Sequence, residues 1–263
     1  MSESAHQAKK RFGQNFLHDP QVIARIVRTI HPQPGETVVE IGPGLGALTV
    51  PLLEKLGELQ VVEIDRDVIP RLREICGDAP GLTITQADAL SVDYRQFLVA
   101  GHRLRLVGNL PYNISTPLLF HLLTFSDVID DMHFMLQKEV VERMCANAGD
   151  DAYGRLSVAL AARCEVAHLF NVGPGAFNPP PKVDSAIVRL KPRAPDFAIA
   201  DLALFDRVVA QAFSQRRKTL SNALKGVCGI ERIRAAGIDP GARAERLHAR
   251  DFARLANGLA AAG

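Results

Sequence analysis

Thr37-Val38-Val39-Glu40-Ile41-Gly42-Pro43-Gly44-Leu45-Gly46 decides the architecture. Residues 37–41 read as a strand, and a helical pattern from about Ala47 to Lys55 follows the glycines. A glycine-rich turn between strand and helix lets the backbone approach a ligand at a helix amino terminus. The spacing is G-x-G-x-G with an acid ahead of it, not the G-x-G-x-x-G of dinucleotide sites. A Glu40 carboxylate facing the loop repels a pyrophosphate. A nucleoside without phosphate, carrying a cationic group, fits better.

Outward from this stretch the pattern repeats. Strands are expected at 59–64, 82–85, 104–108 and 132–136, with helical patterns between them. Such βα units predict a parallel, doubly wound sheet. The chemistry-bearing residues fall just after its strands. Glu63, 21 residues beyond Gly42, is placed for ribose hydroxyls. Asp65 competes, but strand register favours Glu63, and a capping role suits Asp65 or Asp67. Asp88 follows the third strand. A lone Asp in a turn is usually structural, but in series with Glu40, Gly42 and Glu63 it becomes an acceptor for an adenine amine.

Asn109-Leu110-Pro111-Tyr112 ends the fourth strand, ahead of the helix start Ser115-Thr116-Pro117. The Asn109 side chain can accept a hydrogen bond. Leu110 precedes Pro111 and is pushed out of the helical region, so its carbonyl can be aimed outward. Tyr112 supplies a flat face. Two acceptors beside an aromatic plate suit a planar ring bearing an exocyclic amine. After the fifth strand come a helix through Met144, another from Gly154 to Arg163, and a strand from Glu165 to Val172. Phe177-Asn178-Pro179-Pro180-Pro181-Lys182-Val183-Asp184-Ser185 is a stiff extended loop, with a last strand after it through Leu190. Phe177 is a second stacking plate if exposed and core if buried; the residues alone leave both open.

With 263 residues and 47% apolar content, the chain can hold a full core and a second, smaller domain. The expected division is 1–192, with an arm at 1–18, and 193–263. The break follows Pro192-Arg193-Ala194-Pro195, after which only helical patterns occur. The scattered cysteines Cys76, Cys145, Cys164 and Cys228 predict reduced thiols and no zinc site. The sequence lacks a membrane-spanning apolar run and an apolar leader, so a cytoplasmic location is expected. Net charge is +2, but unevenly spread. Residues 1–31 hold five Lys/Arg against two acids, and 214–254 hold ten against four. Two basic ends around an acidic middle suit a polyanion. Lys10 and Arg11 lie in the arm; Arg216, Arg217 and Lys218, beside Ser, Gln and Asn donors, suit sugar-phosphate contact.

Together, these residues resemble a known family. Arg11 to Leu17, Glu40 to Gly46, Glu63-Ile64-Asp65, Asp88, Asn109 to Tyr112, Phe177 to Ser185 and Phe213 to Leu224 are similar to the motifs of KsgA-type (RsmA) small-subunit ribosomal RNA adenine N6-dimethyltransferases. The resemblance runs from Arg11 to about Leu255. It implies a Rossmann-like class I S-adenosylmethionine-dependent methyltransferase domain and a small all-helical C-terminal domain for RNA or ribosome recognition. It implies S-adenosyl-L-methionine as cofactor, with Asn15 and Leu17 closing the site, and Gly42, Gly44 and their loop holding the methionine part. Glu63 then takes the ribose and Asp88 the adenine. Asn109, with Leu110 and Pro111, holds the target amine beside the cofactor, and Tyr112 and Phe177 sandwich the base. The implied substrate is two adjacent adenosines in the 3′-terminal hairpin of 16S rRNA, within a small subunit or its precursor. A monomer without metal is expected. The alternatives are a large-subunit rRNA or DNA adenine-N6 methyltransferase, a mainly non-catalytic ribosome-assembly factor, and a nicotinamide dehydrogenase, which the Glu40 loop disfavours.

Overall fold

Runs of Val, Ile and Leu buried on both faces build the central sheet. The computed structural model describes residues 15–215 and 217–261. Its strands are β1 (Phe16–Leu17), β2 (Thr37–Ile41), β3 (Leu59–Glu63), β4 (Leu82–Gln86), β5 (Leu104–Asn109), β6 (Ile129–Gln137), β7 (Cys164–Val172), β8 (Phe177–Asn178) and β9 (Ser185–Pro192). Helices are α1 (Pro20–Ile30), α2 (Thr49–Leu56), α3 (Ile69–Ile75), α4 (Ser115–Leu123), α5 (Lys138–Cys145), α6 (Arg155–Ala161), α7 (Leu202–Ala212), α8 (Leu220–Ala223), α9 (Ile230–Ala235) and α10 (Ala249–Ala260).

Seven strands form one sheet in the order β4-β3-β2-β5-β6-β9-β7. Every residue of β2 is buried, as a strand covered on both faces requires. The β4-β3-β2-β5-β6 pairings are parallel, and β6 pairs antiparallel with β9. The expected parallel sheet is thus a mixed one. The chain returns from the proline-rich loop directly beside β6, with Gln137 opposite Ser185, and needs no crossover. Strand order reverses between β2 and β5, which opens a crevice at their carboxyl ends. The two strands approach closely there: a Cβ on Gly108 would collide with the Ile41 carbonyl oxygen.

Helix α1 shows how local chemistry sets an element. Asp19 accepts from the Gln21 and Val22 amides, and Pro20 opens the first turn. Ile26, Val27 and Ile30 are buried, each worth roughly 1.5–3 kcal/mol. The Arg25 guanidinium lies 3.8 Å above the Phe170 ring.

At the amino-terminal end of β5, Arg105 makes a buried network. It grips Asp131 through two bonds of 2.9 Å, Glu36 at 2.7 Å and the Ile30 carbonyl at 2.7 Å. His133 lies 3.7 Å from Asp131. Burial pushes its pKa down to about 4, so the imidazole is neutral at physiological pH.

The chain divides into two compact units, 1–141 with 167–192, and 142–166 with 193–263. Residues 142–166 fall in the second unit, where the expected division kept them in the first. Tyr153, Val158 and Ala162 pack there with Phe205, Val208, Leu247 and Phe252. That cluster completes the apolar faces of α7 and α10, which their spacing alone left without a partner. Among the described residues no helix is long and apolar enough to cross a membrane. All four cysteines are free thiols.

Candidate active site

The crevice between β2 and β5 holds a cavity of about 290 Å³ in the first unit. Each wall follows a strand end. The glycine loop supplies the floor, with positive φ at Gly42 (67°) and Gly44 (54°), backbone that side-chain-bearing residues rarely adopt. Gly42 is the junction: a Cβ there would sit 3.9 Å from the Asn109 carbonyl oxygen. The cofactor-type loop and the polar turn, 67 residues apart in the chain, are therefore neighbours.

Three acids line this space, two of them buried. Glu40 ends in the wall of β2, 2% exposed, and accepts from the Thr49 hydroxyl of α2 at 2.7 Å. Burial pushes its pKa up to about 7, and the nearby Glu63 adds to the rise. Glu63, at the end of β3, is 5% exposed and accepts from the Asp65 amide at 2.8 Å. Burial raises its pKa as well, against a lowering hydrogen bond from the Gly44 backbone. Glu63 lines the cavity; Asp65 is buried, accepts from the Asp67 amide and does not. Asp88 lines the far wall, its carboxylate holding the Leu90 amide at 2.9 Å.

The turn after β5 closes the other side. Leu110 donates its amide to the Met135 carbonyl on β6 and buries its side chain. The Pro111 carbonyl accepts from the Ser115 hydroxyl at the start of α4. Asn109 donates its Nδ2 to the Asn15 carbonyl at 3.2 Å. That bond assigns the amide: nitrogen on the arm, oxygen left to accept. Tyr112 is half-buried, and its hydroxyl meets the Ser185 hydroxyl at 2.7 Å. Ser185 itself is fully buried at the start of β9. Asn15, Phe16 and Leu17 form the roof, with the Phe16 ring beside Gly44.

Most of the expected site residues thus meet around one cavity: Asn15, Leu17, Gly42, Gly44, Glu63, Asp88, Asn109, Leu110, Pro111 and Tyr112. Phe177 is the exception and stands apart from the other expected site residues. It is 3% exposed, lies in the core with Leu17 and Ile187, and does not line the cavity. The cause is the short β1–β8 ribbon, which sets Leu17 opposite Phe177. Lys10, Arg11 and Arg216 lie outside the described residues; Arg217 and Lys218 are exposed in the second unit. The sequence reading missed Ile64, a cavity-lining side chain left 47% exposed. Strand alternation carries the signal, since Glu63 and Asp65 point inward. It also missed Thr49.

The donor set is unusual for a nucleotide site. Two buried carboxylates and a glycine cradle give no welcome to phosphate; they fit hydroxyls and a cation. Among the described residues, no cluster of His, Cys, Asp and Glu could hold a metal ion.

Known proteins show the family. A family model described as "Ribosomal RNA adenine dimethylase" matches residues 5–261. The ribosomal RNA small subunit methyltransferase A of Pseudomonas aeruginosa is 57% identical over 256 residues, covering 97% of this chain and 96% of that protein. Its namesake in Aromatoleum aromaticum is 57% identical over 259 residues, 98% of this chain and 96% of that protein. Among solved structures, a dimethyladenosine transferase from Plasmodium falciparum superimposes with a TM-score of 0.75 at 27% identity, over 91% of this chain and 95% of that one. The 23S rRNA methyltransferase ErmE does so with a TM-score of 0.70 at 28% identity, over 94% and 100%. A match that takes in nearly every residue, strand-end motifs included, makes this chain a member of the ribosomal RNA adenine dimethylase family.

Proposed function

We propose that the chain uses S-adenosyl-L-methionine to dimethylate N6 of two adjacent adenosines in the 3′-terminal hairpin of small-subunit rRNA. The observation that supports the reading is that the glycine loop with Gly42 and the turn from Asn109 to Tyr112 line one cavity. Relatives named for the small subunit, at 57% identity, favour that substrate over the large subunit.

When bound, the donor supplies an electrophilic methyl group on a positively charged sulfur. Glu63 would take the ribose hydroxyls, Asp88 the adenine amine, and the loop around Gly42 and Gly44 the methionine part. Glu40 and Glu63 offset positive charge in a buried space. Asn109 Oδ1 and the Leu110 carbonyl accept the two N6–H bonds of the target adenine. Both bonds favour a pyramidal nitrogen whose lone pair is freed from the ring, and both strengthen as positive charge develops there. Holding the nitrogen in line is worth on the order of 7–11 kcal/mol. The bound donor would supply the methyl group, its S–C bond pair leaving with sulfur, to the nitrogen that Asn109 and Leu110 hold. The methylated nitrogen, now strongly acidic, releases its proton to water. A paired base cannot reach such a pocket; it is unpaired or flipped and laid on Tyr112. Stacking of this kind is worth roughly 1–3 kcal/mol. Lys10, Arg11, Arg216, Arg217 and Lys218 serve the sugar-phosphate backbone.

The Ser185 hydroxyl fixes the plane of the Tyr112 ring. Ser185→Ala and Tyr112→Phe are each expected to slow single-turnover methylation about three- to tenfold, the worth of one hydrogen bond. The double variant should be no slower than the worse single one. Additive losses would show that the bond does not act through the ring.

The decisive assay incubates the protein with labelled S-adenosylmethionine and undermodified small subunits. Digestion and mass spectrometry should show N6,N6-dimethyladenosine at adjacent positions. Label appearing only in large-subunit RNA or in DNA would overturn the substrate assignment.

A further inference from the structure

Thr49 has no place in the chemistry above, yet it is fully buried and spends its hydroxyl on a site residue. It stands at the first position of α2, three residues past Gly46. Its partner Glu40 is the most confined acid of the cavity. Among the described residues, the charged and titratable groups that bear on Glu40 bring no positive charge. Glu63 on β3 repels it, and the thiol of Cys76, after α3, feels its field. A buried carboxylate without a cation tends to take up a proton, and burial pushes Glu40 to about 7. The Thr49 hydroxyl is the force against that: a hydroxyl donating at 2.7 Å stabilises the anion and not the acid.

We propose that Thr49 is a positioning residue that favours the carboxylate form of Glu40, so that the cationic methyl donor binds with less proton release, and holds its affinity to lower pH, than the burial of Glu40 would otherwise impose. The proposal rests on the donor site described above. Its sign is fixed by linkage. The donor binds the ionised form, so below the raised value binding must expel a proton, and affinity falls as pH drops through about 7. Without the Thr49 hydroxyl, Glu40 rises further and the fall begins at higher pH.

The test is calorimetric titration of the full chain with S-adenosylmethionine from pH 6 to 8.5, in two buffers of different ionisation enthalpy. The buffers count protons. Wild type should release a fraction of a proton near pH 7 and approach one at pH 6. Thr49→Val, nearly isosteric, should bind about tenfold or more weakly at pH 6.5, the effect of losing a hydrogen bond to a charged group. It should release more protons at pH 7.5 than wild type and draw level in affinity by pH 8.5. Thr49→Ser should restore both. Comparing variant with wild type at each pH cancels the donor's own amine titration. A loss in Thr49→Val that is the same at every pH, with an unchanged proton count, would overturn the proposal and leave Thr49 a packing residue. Donor binding by wild type without proton release would overturn it too, and spare the donor site. No donor binding by wild type at any pH would overturn the site itself.

Discussion

Asn109→Ala is expected to lose methyl transfer by about a hundred- to a thousandfold in kcat, the usual effect of removing one preorganised group from a developing charge. Donor affinity should stay within about threefold, because the cradle comes from the glycine loop and the acids Glu40 and Glu63. The residue is irreplaceable for two reasons. Its oxygen is an acceptor at the mouth of the cavity, and its nitrogen is tied to the Asn15 carbonyl, which keeps the amide from turning round. Asn109→Asp separates the two. It keeps an acceptor but sets a carboxylate against the Asn15 carbonyl, so it should fall between alanine and wild type. Single-turnover rates with donor in excess, beside direct donor binding, check both variants. An alanine variant within fivefold of wild type would refute the role given to Asn109.

The second large effect is on stability. Arg105→Ala should lose about 3–5 kcal/mol, because Asp131 and Glu36 would remain half-buried without their cation. For a unit of this size that lowers the melting temperature by on the order of 10 °C. Arg105→Lys should lose less but not nothing. An ammonium keeps the charge and cannot reproduce the paired bonds to Asp131 together with those to Glu36 and Ile30. Thermal melts of the three proteins decide it. An alanine variant melting within 2 °C of wild type would mean that the network contributes little.

What the sequence disclosed and what it hid have physical causes. The strands β2 to β6 were legible because apolar runs and glycine or proline punctuation are local signals. The site residues were legible for a related reason: in a parallel sheet the residues just after strands share one edge, so a one-dimensional position becomes a place. Asn109 and Gly42 met for that reason. Phe177 was not legible. Whether a side chain ahead of a rigid loop faces solvent or core depends on what lies across from it, and here that is Leu17, 160 residues earlier in the chain. Residues 142–166 escaped the domain reading likewise. Helix α6 carries too little pattern to show that its partners, Phe205 and Phe252, come after the linker. Thr49 was hidden because a threonine opening a helix reads as ordinary; only the distance to Glu40 makes it otherwise.

Strand β5 carries Arg105 near its beginning and Asn109 at its end. Four residues of extended chain separate them, roughly 13 Å. One short rod is thus rooted at its base and reactive at its tip. Heat resistance can be bred at the root without blunting the tip, and an inactive tip can be made in a chain that stands as firmly as its parent. Such a chain would still grip its RNA, which makes it a means of trapping the substrate on the enzyme.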